Sequence, residues 1–566
     1  MRYRQIILVF KFLYIVLILS LIYLQLIKGE VCYKLSIKNS IRGIPIEAAR
    51  GRIFDRNGQI LAQTSPLFQV SIIPYQQKDR DILYKRISQI TGIPREIMQI
   101  NFNKNYINPY RPTAILEGLT KDEIISLEEN KIFLPGIIID MVPKRVYPNG
   151  NLCSHVIGYL SAIDSYRLTK LQAYGYDLKD IVGYSGIEEY YDLFLRGEKG
   201  GMQIEVDNRG KQVRTVSYKP PLRGKDIQLT IDVRIQKIID EMMEDRKGVV
   251  IVMNPYDGQI IALSSKPDYD PNIFLSSPDN IAELLKDKDS PLFNRAISGQ
   301  YPPASIFKLV TALAALDTKQ ISSNTVFNCS GAIEIGNREF KCWSVHGEQN
   351  LEEAIVHSCD VYFYNLGLVI GPELLSKYAQ KLGFGRKTKI DLGNESEGLI
   401  PSPTWKKITF FQKWYKGDTA NFAIGQGDVL VTPLQIITFI SIFANNGELV
   451  TPHLIKAVED KSFFFKPVEL NIKKEILDFI RLALYKTVNS EDGTASVLKV
   501  EGCKIAGKTG TAQAGSKPPH GWFAGYFGKD KPQFSICVLL ENVGSSQFAC
   551  LLAKRIILKM LEEGLI

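Results

Sequence analysis

The chain has 566 residues, of which 45% are apolar and 23% charged. That composition excludes a disordered or fibrous protein and leaves room for two or three globular domains. The net charge of +9 comes from 69 basic and 60 acidic residues scattered without a long basic run, which argues against a nucleic-acid-binding protein and suits an anionic envelope surface.

The first element is hydrophobic. Residues 12–27 are apolar apart from Ser20 and Gln25, and extension back to Ile6 brings the run near the ~20 residues a bilayer needs. Lys11 then lies about one and a half turns inside the span and snorkels to the headgroups. Arg2, Arg4 and Lys11 stand at its start, so the positive-inside rule puts the N-terminus in the cytoplasm. A cleaved signal peptide is the alternative. Against it, Leu26-Ile27-Lys28-Gly29-Glu30-Val31-Cys32 contains no small-x-small site, and Glu30 and Val31 are poor residues before a lipidated cysteine. The expectation is a single-pass protein: residues 1–28 form a cytoplasmic tail and uncleaved anchor, and the rest is exported.

From Cys32 to about Asp226 the sequence is polar and turn-rich, with short strand-like runs such as residues 67–73. From Ile227 the texture changes. Residues 248–264 read as a hairpin around Asn254-Pro255-Tyr256-Asp257-Gly258. Helical stretches follow at 305–316, 351–368 and 433–445. Strand-like runs return at 521–527 and 534–541, and an amphipathic helix closes the chain at 546–563. This order predicts a mixed α/β domain in which helices cover a sheet.

Three short motifs lie in this second part: Ser305-Ile306-Phe307-Lys308, Ser358-Cys359-Asp360 and Lys508-Thr509-Gly510. Their first residues are 53 and 150 positions apart. Each alone is weak, since Ser496-Val497-Leu498-Lys499 also matches the first pattern. Ser305 at the start of a helix is explained equally well as an N-cap. At i and i+3, however, Lys308 shares a helix face with Ser305 and its amine can reach the hydroxyl. A serine hydroxyl needs such a base to act as a nucleophile, and a desolvated lysine beside other cations can serve. The helix N-terminus offers N–H groups to an oxyanion. Ser358 reads either as a second N-cap or as part of the same site. Gly510 lets a strand backbone lie close to a substrate.

The set of three resembles the signature of penicillin-binding proteins and class A β-lactamases. The likeness extends to most of the chain. Residues 49–58, Ala-Arg-Gly-Arg-Ile-Phe-Asp-Arg-Asn-Gly, with Arg145-Val146-Tyr147-Pro148 and Gly183-Tyr184-Ser185-Gly186-Ile187-Glu188, resemble the pedestal of class B penicillin-binding proteins. Tyr301-Pro302-Pro303, residues 414–419 and Ala423-Ile424-Gly425-Gln426-Gly427 are similar to the elongation-specific members.

The resemblance implies an anchor, an elongated α+β pedestal over 29–230 and a transpeptidase domain over 231–566, its antiparallel sheet covered by helices. It implies D,D-transpeptidation of peptidoglycan stem peptides through an acyl-enzyme on Ser305, with β-lactams as inhibitors. Lys308 and Ser358 would move protons. Lys508, Thr509, Gly510 and Thr511 would hold the terminal carboxylate of D-Ala-D-Ala, and the N–H groups of Ser305 and Thr511 would form the oxyanion hole. Asp360 replaces the usual asparagine, as in elongation-type members. The implied partner is a RodA-type SEDS glycan polymerase, with other elongation-complex proteins. A division-specific relative is the runner-up. A D,D-carboxypeptidase, a β-lactamase or an acylated sensor on the same scaffold are the other readings.

The eight cysteines fit disulfides in an exported chain. Cys329, Cys342, His346 and Cys359, with 12, 3 and 12 residues between them, also suit a closed structural zinc set, and some elongation-type members place a metal here. A Cys329–Cys342 disulfide is the alternative; the chemistry itself needs no cofactor. His155, His357, His453 and His520 are isolated in sequence, and His520 is a candidate for the edge of the cleft.

Overall fold

The computed structural model describes residues 2–77, 79–106, 109, 112–178, 180–206, 212–275 and 278–566. The chain divides into two compact units.

The first unit comprises residues 1–51, 64–145 and 196–225. It begins with a helix, Tyr3–Ile27, of 25 residues and exposed throughout. At 1.5 Å per residue it is about 37 Å long, enough to cross a ~30 Å hydrocarbon core. Among the described residues it is the one helix long and apolar enough to do so. Beyond it, Ile41–Ile46, Gly200–Val206 and Gln212–Lys219 form an antiparallel three-stranded sheet. Residues 69–72 pair with Thr113–Glu117. Val70, Ile72 and Ile115 of this pair share a core with Leu83 and Ile87 of helix Arg80–Thr91, Met98 of Arg95–Asn105 and Leu127 of Lys121–Glu129. Asp79 caps the first of these helices, and a Thr120–Glu123 capping box starts the last.

The second unit comprises residues 52–63, 146–195 and 226–566. Its Asp55 accepts the amides of Asn57 and Gln59 at 2.8 and 2.7 Å, so the Asp-Arg-Asn-Gly stretch is a tight turn. The elements that frame its main sheet and the site, in chain order, are α1 (Val233–Met243), β1 (Gly248–Met253), β2 (Ile260–Lys266), α2 (Lys308–Asp317), α3 (Leu351–Val356), α4 (Asp360–Ile370), α5 (Lys416–Ala423), α6 (Pro433–Ala444), α7 (Lys474–Asn489), β3 (Lys504–Ala514), β4 (Lys517–Gly528), β5 (Phe534–Leu540) and α8 (Gln547–Glu562). The five strands form one antiparallel sheet in the order β2-β1-β5-β4-β3.

Alternation along the strands gives this sheet two apolar faces. Val250, Val252, Ile536 and Val538 pack with Ile235 and Ile239 of α1 and Ile556 and Met560 of α8. Val249, Ile251, Cys537 and Leu539 face the larger core that contains α2, α4 and α6. β1 is buried at every position, which is why it reads as an unbroken apolar run. α6 is likewise buried all round.

The expected hairpin, the helix at 433–445, the closing strands and the final helix are present. Two expectations differ. The stretch 351–368 is two helices, α3 and α4, broken at 357–359, where Ser358 has φ +54. The helix expected from Ser305 starts at Lys308, after a one-turn 3-10 segment, Ala304–Ile306. Both breaks fall on predicted site residues.

Candidate active site

Ser305 lies in the 3-10 turn, half-exposed, between buried Ala304 and Ile306. Ala304 has φ +49, a conformation that an alanine keeps only where its surroundings hold it. Its amide donates to Gly425 O at 2.9 Å. Gly425, at φ +70, has no room for a side chain: a Cβ would stand 2.4 Å from Ala304 O and 2.6 Å from Phe307 Cβ. The Gly425-Gln426 stretch is thus the backing of the serine turn. On the other side, Gly510 of β3 approaches Pro303 O closely enough that a Cβ would meet it at 3.2 Å. Trp522 of β4 donates from Nε1 to Pro302 O at 3.1 Å. The serine turn is therefore gripped between the loop after α5 and the edge of the sheet.

Lys308 is fully buried at the start of α2. Its Nζ donates to Ser358 O at 2.8 Å, to Ser358 Oγ at 3.2 Å and to Asp360 Oδ1 at 2.7 Å. An ammonium has three donors, and these three acceptors use them; Ser305 Oγ is not among them. Ser305 stands in the 3-10 turn, and Lys308 opens the α-helix after it. The structure thus joins Lys308 to the second motif.

That motif occupies the break between α3 and α4. Cys359, not Ser358, is the N-cap of α4, and its Sγ accepts from Tyr362 N at 3.4 Å. Ser358 is freed from capping and turns its carbonyl and hydroxyl to Lys308.

The third motif lies within β3, in the register Lys508 opposite Ala524 and Thr511 opposite Gly521. β3 is a sheet edge, so one side of it is open to a substrate strand. Lys508 Nζ is buried with no hydrogen-bond partner. Burial, then repulsion from Lys308, holds its pKa well below the ordinary lysine value. Thr509 Oγ1 donates to Thr494 Oγ1 at 3.2 Å. Gln426 Nε2 donates to Thr511 O at 3.1 Å. Thr494 carried no signal in the sequence, because a hydroxyl in a turn is common and no motif marks its pairing with Thr509.

The structure also gathers Cys329, Cys342, His346 and Cys359, whose ligand atoms all lie within 4.8 Å of one another. His346 Nδ1 is 3.6 Å from Cys329 Sγ and 3.5 Å from Cys342 Sγ. With Nδ1 turned to the sulfurs, Nε2 is buried without a hydrogen-bond partner. Cys342 Sγ accepts the amide of Asp360 at 3.2 Å. Hydrogen bonding from Cys359 pushes the Cys342 thiol down, and the same contact pushes Cys359 up. All eight cysteines are free thiols in this structure.

The remaining histidines differ in setting. His520 sits on β4 opposite Ala512, edge-on to Tyr301 at 5.4 Å, with Nδ1 accepting from Asn542 N at 3.1 Å. His357 is not isolated: its ring stacks on that of His346 at 5.9 Å and contacts Gln349 and Asp492. His155 is buried against Pro291 O, and burial lowers its pKa to about 4. His453 contacts Thr451 O at 3.0 Å.

Residues 248–562 match the family model of the penicillin binding protein transpeptidase domain, and residues 45–229 match that of the penicillin-binding protein dimerisation domain. This chain belongs to the penicillin-binding proteins. The peptidoglycan D,D-transpeptidase MrdA of Acinetobacter baumannii is 32% identical over 560 residues, which is 94% of this penicillin-binding protein and 83% of the relative. The penicillin-binding protein PBP2 of Helicobacter pylori, solved in complex with MreC, superposes with a TM-score of 0.83 at 32% identity, covering 93% of this chain and 99% of that one. A chain of a peptidoglycan synthase complex that coordinates polymerization and crosslinking superposes at 0.74 with 27% identity, covering 98% and 97%.

Proposed function

We infer that this penicillin-binding protein is the peptidoglycan D,D-transpeptidase of cell elongation. The observation that carries the reading is the meeting of Lys308 with Ser358 and Asp360 beside a serine turn packed against the Lys508-Thr509-Gly510 strand, in a chain that matches MrdA over nearly its whole length.

Ser305 Oγ attacks the carbonyl carbon between the two D-alanines, and its proton leaves to the Lys308–Ser358 pair. Lys308 accepts a proton only after giving one up, and Asp360 Oδ1 is the nearest carboxylate. The oxyanion forms against the amides of Ser305 and Thr511. The C–N bond to the last D-Ala breaks, and Ser358 Oγ, within 3.2 Å of Lys308 Nζ, returns the proton to the departing amine. An amine of a neighbouring stem then attacks the ester, loses its proton by the same route and restores the Ser305 hydroxyl. Lys508, Thr509 and Thr511 hold the substrate carboxylate, with Gly510 allowing close approach. β-Lactams enter the first step and stall before the second.

The cysteine–histidine cluster fits zinc. A tetrahedral site with Zn–S near 2.3 Å and Zn–N near 2.0–2.1 Å requires an S···N edge of about 3.5–3.6 Å, and both sulfur–Nδ1 separations meet it. Cys329, Cys342, His346 and Cys359 would hold the ion, which supplies charge neutralisation for the thiolates and a cross-link between the 329–346 loop and the second motif. No step of the reaction passes through it.

The helix Tyr3–Ile27 supports a single-pass anchor in the cytoplasmic membrane, with the catalytic unit on the outer side. This chain polymerises no glycan in this reading. A RodA-type SEDS polymerase and an MreC-like protein are the proposed partners, supported by the complexes in which its structural relatives were solved.

Labelling of the full chain with a fluorescent penicillin, followed by peptide mass spectrometry beside Ser305→Ala, tests the nucleophile. A stable adduct on Ser305, and release of D-Ala with cross-linked product from donor and acceptor stems, is the expected result. Rapid hydrolysis of the drug, or release of D-Ala without cross-links, would replace the reading with a β-lactamase or a carboxypeptidase.

A further inference from the structure

The second and third motifs are joined by a residue that belongs to neither. Thr494 lies in the turn between α7 and β3. Its amide and its hydroxyl both donate to Val356 O, at 3.4 and 3.3 Å. Its hydroxyl oxygen accepts from Thr509 Oγ1 at 3.2 Å. Val356 is the last residue of α3, just ahead of the break that carries Ser358. A chain of hydroxyls therefore runs from the middle of the third motif to the foot of the second.

The turn is held tightly enough to make this chain meaningful. Gly493 packs on the end of α7, where a Cβ would stand 2.4 Å from Thr487 O. The Ala495 amide donates to that same carbonyl at 3.0 Å. On the other side Asp492 Oδ2 is 2.8 Å from His357 Nε2. Thr494 is thus fixed between two anchored neighbours.

We propose that Thr494 is a positioning residue that controls where Thr509 directs its hydroxyl proton. A hydroxyl has one proton and two lone pairs. In the arrangement seen here Thr509 gives its proton to Thr494, and Thr494 gives its own to Val356 O. Thr509 Oγ1 then presents only lone pairs to the cleft, which repel a carboxylate. When the carboxylate of the donor stem arrives, Thr509 turns its proton outward, and Thr494 turns its proton from Val356 O to Thr509 Oγ1. Val356 O keeps the Thr494 amide, so every buried group retains a partner in both arrangements. Without the Thr494 hydroxyl, Thr509 Oγ1 loses its inner partner and the direction of its proton is no longer set.

This inference rests on the transpeptidase reading, and the experiment separates the two. The second-order rate of Ser305 acylation by a fluorescent penicillin is measured, with a thermal melt, for the wild-type chain, Thr494→Val, Thr494→Ala, Thr494→Ser, Thr509→Val and the double variant Thr494→Val/Thr509→Val. An unlabelled wild type would overturn both readings. With the wild type labelled, Thr494→Val is expected to lose about tenfold, through weaker drug binding rather than a slower limiting rate. Thr494→Ser keeps its hydroxyl and most of the rate. The double variant is no slower than Thr509→Val, because Thr494 acts through Thr509. Thr494→Ala supplies a second hydroxyl-free side chain should valine disturb the turn. Wild-type speed in both hydroxyl-free variants, equal losses with valine and serine, or additive losses in the double variant would each overturn the role of Thr494 and leave the transpeptidase standing.

Discussion

Asp360 lies between the lysine of the first motif and the thiol cluster: its Oδ1 is 2.7 Å from Lys308 Nζ, and its own amide donates to Cys342 Sγ at 3.2 Å. The side chain sets the charge beside the base, and the backbone ties that side chain to the 329–346 loop. Lys308 is fully buried, while the Asp360 side chain is 18% exposed. The pair is therefore screened little by solvent, and loss of one partner leaves the other uncompensated.

Asp360→Ala should slow Ser305 acylation by about 10–100-fold, the kinetic equivalent of the ~1.5–3 kcal/mol of a hydrogen bond to a charged group. Asp360→Asn keeps an oxygen acceptor for Lys308 and should stay within about tenfold of the wild type. Stopped-flow acylation of both variants decides the point. Equal rates for alanine and asparagine would mean that the contact does not serve the lysine.

Removal of the proposed zinc should act on the same corner. Elemental analysis of the purified chain is expected to find zinc, and Cys329→Ser to lose it. Cys329 touches no catalytic group directly, so a slower Ser305 acylation in this variant would report the route through Cys342 and the Asp360 amide. A chelator should lower the melting temperature of the wild type and leave that of Cys329→Ser unchanged. Full acylation speed in metal-free protein would confine the cluster to stability.

Much of this site was legible in the sequence, because its chemistry depends on residue types in short local patterns. Lys308 does meet Ser358 and Asp360, and the ligand atoms of Cys329, Cys342, His346 and Cys359 do lie together. What spacing failed to show was backbone conformation. Ser305 and Lys308 read as one face of an α-helix that begins at Ser305, but Ser305 stands in a 3-10 turn behind the strained Ala304 and the α-helix opens only at Lys308; apolar content alone does not distinguish a 3-10 turn from the first turn of an α-helix. The break at Ser358 was half visible: its reading as a second N-cap implied a helix start there, while 351–368 has the composition of one continuous helix. Thr494 and Gln426 were invisible as partners of β3: Gln426 reaches it from 85 residues away, and Thr494, though near in sequence, is one unmarked hydroxyl in a turn.

Gly425→Ala tests how far the serine turn depends on its backing. The new Cβ would face Ala304 O at 2.4 Å at a residue with φ +70, so the turn has to move. Gly427→Ala is the control: it has φ +76, but the nearest atom, Asn421 Cβ, is 3.4 Å away. Both variants carry the backbone cost of a left-handed alanine, about 1 kcal/mol. Only Gly425→Ala should also lose acylation, by tenfold or more. Similar rates in the two variants would show that Ser305 tolerates a shifted turn.

Lys508 provides a prediction in which stability and activity move in opposite directions. Burial, then the neighbouring Lys308, holds its folded pKa well below the ordinary value of 10.5. Between the lowered value and 10.5 the unfolded chain binds a proton that the folded chain does not. Stability therefore rises with pH across that window, and the penalty grows as pH falls. Lys508→Met removes the amine and keeps much of the side-chain volume. It should abolish acylation of Ser305 yet melt above the wild type at pH 7, and that advantage should shrink at pH 10. Melting curves at the two pH values check the sign. An advantage that is equal at both, or larger at pH 10, would mean that Lys508 is not held against its charge.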